Sequence, residues 1–202
     1  MSKLLLKTER LTIRDFRADD WAQIVRRTTQ AEVARFMPWD TRAWTEEEGV
    51  LEWIREQRTY DFSVTDRYLE FAVVKGGLNI GDVAIKRLSR DPQLAEVGWT
   101  LEPAFQGRGY ATEAVSALID WSFRNLCVRR IISVCDARNT ASYRLMERLG
   151  MRREAHHLKS SFIKGEWADD LVYAVLKDEW TSRPPPSYTV LLPFAAATKE
   201  PV

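Results

Sequence analysis

The stretch from residue 96 to residue 114 contains the residue types and spacing that best fit a ligand-binding loop. It has the pattern of a strand, a short loop with Gly107 and Gly109, and the start of a helix. Glycines let the backbone turn sharply and approach a ligand closely, and a helix start offers unpaired N–H groups with a partial positive charge. Together these features predict an anion-binding site that suits a pyrophosphate ligand. The alternative is a tight strand-to-helix turn that binds nothing.

Two common nucleotide-binding patterns do not fit this stretch. The chain has no G-x-x-x-x-G-K-[ST] sequence, which excludes a P-loop. A dinucleotide-binding fingerprint is weak, because Thr112 stands where its third glycine belongs and the preceding strand comes late in the chain.

The elements that must position this loop follow from hydrophobic periodicity and from helix start and stop signals. Strands are predicted at 11–14, 69–74, 80–88, 95–101, 130–135, 154–163 and 171–176. Four helices are predicted to begin near Asp19, Thr45, Ala111 and Thr140. Long helices interleaved with strands indicate an α/β (α+β) fold with a mixed sheet covered by helices. We expect one domain over residues 1–182, followed by a proline-rich tail, 183–202, that is disordered or docked on a neighbour.

Composition excludes several classes of protein. The 202 residues fit one domain, and 30 Lys and Arg against 29 Asp and Glu give a net charge of +1, which argues against a nucleic-acid partner. No apolar run approaches the eighteen or so residues of a membrane span, and the first residues do not resemble a secretory signal. Cys127 and Cys135 are too few for a disulfide framework, so we expect reduced thiols and a cytoplasmic location.

Several motifs in consistent order resemble the GNAT superfamily of N-acetyltransferases. Gln106-x-x-Gly109-x-Ala111 is similar to the loop with which that family holds the pyrophosphate of coenzyme A. Asn139-x-x-Ser142, the Leu-Gly-Met at 149–151 and the Gly-Glu-Trp-x-Asp at 165–169 are similar to the RimJ/RimL branch, which acetylates N-terminal α-amines of ribosomal proteins. The resemblance covers roughly residues 8 to 180.

The resemblance implies a fold and a binding site. The fold would be a mostly antiparallel seven-stranded sheet with about four helices, splayed at the strand that binds acetyl-CoA. Acetyl-CoA would serve as co-substrate, and no metal is expected. The residues expected to bind it are Trp99, Thr100, Leu101, Gln106, Gly107, Arg108, Gly109, Tyr110, Ala111, Thr112 and Asn139. Met37, Trp39 and Asp40 are expected at the acceptor pocket, although the first two also fit a role in the core.

Acetyl transfer requires a group that protonates the leaving thiolate and a group that handles the amine proton. Many members of the superfamily carry a tyrosine where this chain has Met146, so we expect Ser142 to be the general acid, ahead of Tyr143. The alternative is that the Ser142 hydroxyl merely bonds its own helix. Glu96 is the candidate base or amine positioner, and a cross-strand pair on the sheet surface is its alternative role.

The acceptor stays open between a protein N-terminal α-amine and a small amine such as an aminoglycoside, a polyamine or an amino acid. An α-amine has a pKa near 8 against about 10.4 for lysine, so a site without a strong base favours the α-amine. The amine acceptor is the expected partner, with no membrane partner and with a homodimer left open. A non-catalytic acyl-CoA sensor is the alternative from another class.

Overall fold

The strands of the chain have from three to twelve residues and form one sheet. The computed structural model describes residues 4–37 and 45–191. Its strands are β1 Leu5–Thr8, β2 Thr12–Arg14, β3 Leu69–Lys75, β4 Leu78–Leu88, β5 Asp91–Leu101, β6 Arg130–Asp136, β7 Arg152–Ile163, β8 Glu166–Leu176 and β9 Tyr188–Val190. Its α-helices are α1 Trp21–Thr28, α2 Ala31–Ala34, α3 Glu47–Thr59, α4 Tyr110–Asn125, α5 Thr140–Arg148 and α6 Lys177–Thr181.

The strands form a single sheet in the order β7-β8-β6-β5-β4-β3-β2-β1-β9. Seven of its eight neighbouring pairs are antiparallel, and only β5 and β6 run parallel. A parallel pair needs a crossover connection, which α4 supplies between β5 and β6. The prediction of a mixed, mostly antiparallel sheet is therefore confirmed.

Helices cover both faces of the sheet. On one face, α4 buries the apolar stripe predicted from the sequence, and Ala114, Val115 and Leu118 have no exposed surface. On the other face, α1 and α3 enclose a smaller core that includes Ile24 and Val50. No helix among the described residues has both the length and the apolar character needed to cross a membrane.

The predicted seven strands and about four helices were wrong in number, because short elements carry little periodic signal. The described residues contain nine strands and six α-helices. The hairpin partner Leu5–Thr8 has four residues and the edge strand Tyr188–Val190 has three, too few to show a period of two. The helix predicted from Asp19 to about Phe36 is divided into a 3₁₀ turn, α1 and α2.

The region expected to be a disordered or neighbour-docked tail instead begins by rejoining its own sheet. β9 pairs antiparallel with β1, Leu6 opposite Val190, and the Tyr188 hydroxyl donates to Asp120 Oδ2 at 2.9 Å. Trp180 Nε1 donates to the other oxygen of Asp120 at 3.1 Å. Residues 192–202 lie outside the described residues.

Candidate active site

The parallel strands β5 and β6 separate soon after they meet. They pair only from Leu94–Arg130 to Glu96–Ile132. One step further, the Ser133 hydroxyl donates to the Val97 carbonyl at 2.9 Å in place of a ladder bond. The far half of β5 therefore has no strand partner on its β6 side among the described residues, and the expected splay lies at this strand.

Two adjoining cavities lie at this divergence. The loop cavity, about 630 Å³, lies between the residues that follow β5 and the helix α5. The sheet cavity, about 310 Å³, lies over the face of the sheet that carries α1 and α3. Residues lining both are Phe36, Met37, Trp99, Thr100, Asn139 and Ser142. A molecule in the loop cavity can therefore meet a second molecule in the sheet cavity at β5.

The glycine loop has the backbone conformation that the sequence predicted. Gly107 and Gly109 have φ angles of 71° and 80°, the left-handed region that L side chains rarely adopt. Gly109 is the N-terminal cap of α4, so the first N–H groups of that helix, from Tyr110 onward, lack intrahelical partners. Of the predicted loop residues, Gln106, Gly107, Gly109, Tyr110, Ala111 and Thr112 line the loop cavity. These N–H groups and the helix dipole suit a phosphate anion.

Side-chain contacts fix the loop against the rest of the sheet. Gln106 Nε2 donates to the Leu101 carbonyl at 3.0 Å, which ties the loop to the end of β5. Glu113 accepts from Thr8 Oγ1 at 2.6 Å and from Arg10 Nε at 2.6 Å, and so links α4 to the β1–β2 turn. Burial works against the ionised form of Glu113, but the hydrogen bonds from Thr8 and Arg10 outweigh it and lower the pKa of the carboxyl group.

Two arginines that the sequence analysis did not name line the loop cavity, and one that it named does not. Arg144 and Arg148 lie one turn apart on α5, line the loop cavity, and form no ion pair with any described residue. Their i, i+4 spacing was visible in the sequence, but nothing local showed which way that face of the helix points. Arg108, the arginine that was predicted, is exposed and absent from the cavity lining, and its carbonyl accepts from Arg10 at 3.1 Å.

Ser142 lies where the two cavities meet, in the first turn of α5. Asn139 caps this helix, and its side chain accepts from the Ser142 N–H at 3.2 Å. In contrast to Ser122 and Thr28, whose hydroxyls bond the carbonyl four residues earlier, Ser142 makes no side-chain hydrogen bond with any described residue. The bond to its own helix, the alternative for this residue, is not formed. Met146 is buried beside it.

Glu96 makes a cross-strand pair, the role that the sequence analysis gave as the alternative to a catalytic one. Its carboxylate lies 2.9 Å from Lys86 Nζ on β4 and accepts from the Tyr68 hydroxyl at 2.5 Å. Glu96 is not part of the lining of either cavity, whereas Tyr68 lines the sheet cavity. Any role of Glu96 in catalysis would therefore be exerted through the phenol of Tyr68, and its assignment as the base stays a prediction.

A buried charged network supports the middle of β5. Arg27, 2% exposed, donates from Nη2 to Asp82 Oδ1 at 2.8 Å and from Nε to Thr100 Oγ1 at 3.0 Å. The Thr100 hydroxyl donates to the same Asp82 oxygen. The side chain of Thr100 is thus committed to the sheet. Because successive residues of a strand direct their backbone groups to opposite edges, the Thr100 backbone faces β4, and those of Trp99 and Leu101 face the edge that β6 leaves.

Some of the other predicted site residues lie within the described ranges and some lie outside them. Met37 lines both cavities, while Trp39 and Asp40 lie outside the described residues. Cys135 lines the sheet cavity, and burial raises the pKa of its thiol to about 12, which disfavours a thiolate nucleophile. Residues 4–37 and 45–191 contain no cluster of three His, Cys, Asp or Glu side chains arranged to hold a metal ion.

Comparison with known proteins agrees with this architecture. Residues 10–152 match the acetyltransferase (GNAT) domain family. The chain is 30% identical to the uncharacterized N-acetyltransferase YnaD of Bacillus subtilis over 87% of this chain and 98% of that one. It is 24% identical to the spermidine N(1)-acetyltransferase of Escherichia coli over 67% of this chain and 74% of that protein.

A solved structure shares the fold. The ribosomal-protein-S5-alanine acetyltransferase of Vibrio fischeri superposes with a TM-score of 0.74 at 25% identity, over 90% of this chain and all of the other. Both the family match and the relative of similar length span most of the chain, including the splayed strands and the glycine loop. The chain therefore belongs to the GNAT family of N-acetyltransferases.

Proposed function

We propose that the protein moves the acetyl group of acetyl-CoA to a primary amine by direct attack, with both substrates bound at once. The observation that carries this proposal is the meeting of two cavities at Ser142, one beside a helix N-terminus and arginines, the other over the sheet. An enzyme with a covalent acetyl intermediate needs a nucleophile at the same place. Cys135, the thiol in the lining, is poorly suited because its pKa is raised.

The loop cavity suits coenzyme A in charge and in shape. Backbone N–H groups from Gln106 to Thr112 would hold the pyrophosphate, and Arg144 and Arg148 would contact phosphates. The edge of β5 left by the splay would pair with the amides of the pantetheine arm, as a peptide adds to a sheet. A backbone N–H on that edge would polarise the thioester carbonyl, a contribution of roughly 3–4 kcal/mol in other acyl-transfer enzymes.

Ser142 would protonate the departing thiolate. The Ser142 hydroxyl forms no hydrogen bond with any described residue. The N-terminus of α5 stabilises negative charge at the same place. Glu96 would position the amine or take its proton through Tyr68. Asn139 would serve both as the cap of α5 and as a contact to the pantetheine arm.

For the acceptor, we propose a protein N-terminal α-amine, as in the RimJ/RimL branch. The similar Vibrio fischeri protein acetylates the alanine of a ribosomal protein, as its name states, and an α-amine loses its proton at modest cost near neutral pH. The second candidate is a small amine such as a polyamine. Two observations favour it: the similarity to a spermidine acetyltransferase, and the carboxylates of Asp82 and Asp136 in the lining of the sheet cavity.

The test begins with melting temperature in the presence of acetyl-CoA, NADH or ATP. A ligand at 100 times its dissociation constant adds about 2.7 kcal/mol of stability, which for a chain of this size is a shift of roughly 5–10 °C. We expect that shift with acetyl-CoA alone. Release of free CoA is then followed with a short alanine-initiated peptide and with spermidine. No shift with acetyl-CoA would contradict the proposed function.

A further inference from the structure

Glu70 on β3 lies at the end of a row of small residues that crosses the sheet. In the register of the strands, Glu70 is opposite Ala84 on β4, and Ala84 is opposite Gly98 on β5. A Cβ added at Gly98 would meet only the ring of Tyr68, at 3.8 Å, so space remains above this row. All three residues of the row line the sheet cavity. The row therefore connects Glu70 with the point where β5 leaves β6.

The carboxyl group of Glu70 differs from the other two in the lining of the sheet cavity. Asp82 is paired with Arg27, and Asp136 is paired with Arg138. The side chain of Glu70 forms no hydrogen bond or ion pair with any residue in the described ranges; only its backbone N–H donates, to Gln57 at 3.3 Å. Ser142 lines the same cavity. A carboxyl group and a hydroxyl group that make no side-chain bond within the described part of the chain thus border one space.

The surroundings of Glu70 disfavour its charged form when no cation is bound. Burial raises the pKa of Glu70 to about 8, the negative charge of Asp82 adds to this effect, and Arg27 opposes it. Other charged or titratable groups on this face of the sheet include Tyr68, Lys86 and Glu96, which bond one another, and Arg14, which pairs with Asp20. A cationic amine placed beside Glu70 would supply a partner that none of residues 4–37 and 45–191 provides.

We propose that Glu70 is a catalytic residue whose carboxylate binds the acceptor's ammonium group and takes its proton. The inference rests on the proposed acetyl transfer. The ammonium gives one proton to Glu70, and the nitrogen lone pair then forms the bond to the thioester carbon. As the carbon–sulfur bond breaks, its electron pair goes to sulfur. Nitrogen gives its second proton through water to Ser142, which replaces the proton that Ser142 donates to sulfur, and Glu70 releases its proton to water. Glu96, held by Lys86, then positions Tyr68.

The variant that tests this role is Glu70→Gln, with Glu52→Gln as the matched control. Glu52 is an exposed glutamate on α3 whose side chain is 75% exposed. The rate is measured from pH 6 to 10 with butylamine, because its single alkyl amine titrates near the 10.4 of a lysine side chain and an inflection near pH 8 then belongs to the enzyme. We expect the wild-type rate to rise through about pH 8. Glu70→Gln should lose at least 100-fold in kcat/KM and lose that inflection.

A loss smaller than tenfold, or a larger loss that leaves the inflection near pH 8, overturns the proposal. Folding is checked by melting. Because the folded pKa of Glu70 is raised, the free energy of unfolding falls as the pH rises from the ordinary value of 4.5 up to the folded value. Glu70→Gln should therefore melt at or above the wild-type temperature at pH 9, and the two proteins should agree at pH 4. The proposal is supported if acetyl-CoA still raises the melting temperature of Glu70→Gln while the variant transfers no acetyl group. If acetyl-CoA does not raise the melting temperature of the wild-type protein, the proposed function itself is refuted.

Discussion

Replacing the buried cation Arg27 with methionine tests the network beneath β5 most directly. The guanidinium is 2% exposed and its partner Asp82 has a side chain 10% exposed, so neither group exchanges its contacts for water. Methionine fills a similar volume but leaves the Asp82 carboxylate without its cation. Breaking a buried pair from one side costs about 3–5 kcal/mol. For a chain of about 200 residues this corresponds to a melting temperature lower by roughly 6–20 °C.

An arginine in an exposed pair provides the control. Arg55 on α3 pairs with Glu52 at 2.8 Å, and their side chains are 66% and 75% exposed. An exposed pair contributes about 0–1 kcal/mol, so Arg55→Met should lower the melting temperature by at most a few degrees. Urea unfolding of both variants gives the two free energies of unfolding.

The double variant Arg27→Met with Asp82→Leu distinguishes the loss of the Arg27 contacts from the cost of a buried Asp82 carboxylate without its cation. If the loss arises from the uncompensated carboxylate, removing that carboxylate as well should recover at least half of it, because buried pairs replaced by apolar groups are often as stable. A single variant that costs under about 1 kcal/mol would refute this reasoning. A double variant no more stable than the single one would show that Arg27 acts through Thr100 or Asn79 instead.

Three further predictions follow from the site. Ser142→Ala should lower kcat by about 100-fold or more while the melting shift with acetyl-CoA is kept, and unchanged turnover would remove the acid role. The double variant Arg144→Gln with Arg148→Gln should weaken CoA binding by about tenfold or more in a titration at low salt, whereas Arg55→Gln should not. Glu113→Gln should melt below the wild type at pH 7. Since the folded pKa of Glu113 is lowered, its stabilisation is complete above the ordinary value of 4.5 and is lost as the pH falls through the folded value, so the two proteins should converge in acid.

The glycine loop and the start of α5 could be predicted from the sequence because their signals are local. Gly107 and Gly109 mark positions of positive φ, and Asn139 caps the helix that carries Ser142. Each of these depends on a few consecutive residues, where residue type alone restricts the backbone. The positions of the central strands along the chain could be predicted for the same reason.

The other parts of the site depend on contacts between distant residues. Glu113 meets Arg10 across 103 positions, and Arg27 meets Asp82 across 55. No local pattern distinguishes Glu70, whose place in the cavity follows from the register of β3, β4 and β5. Sequence reasoning selected Glu96 because it lies in the strand two residues before Gly98 and could face the splayed site, whereas the structure pairs it with Lys86.

The short strand β9 covers the outer edge of β1, and Leu191 N–H donates to the Leu5 carbonyl at 2.9 Å just beyond it. Without β9, the unpaired backbone groups of β1 would form a template for another chain, the usual route to edge-to-edge aggregation. We therefore expect a chain cut after Ser182 to be more prone to aggregation. A chain ending there would also leave Asp120 without the Tyr188 hydroxyl, so purification tags and truncations are better placed at the other terminus.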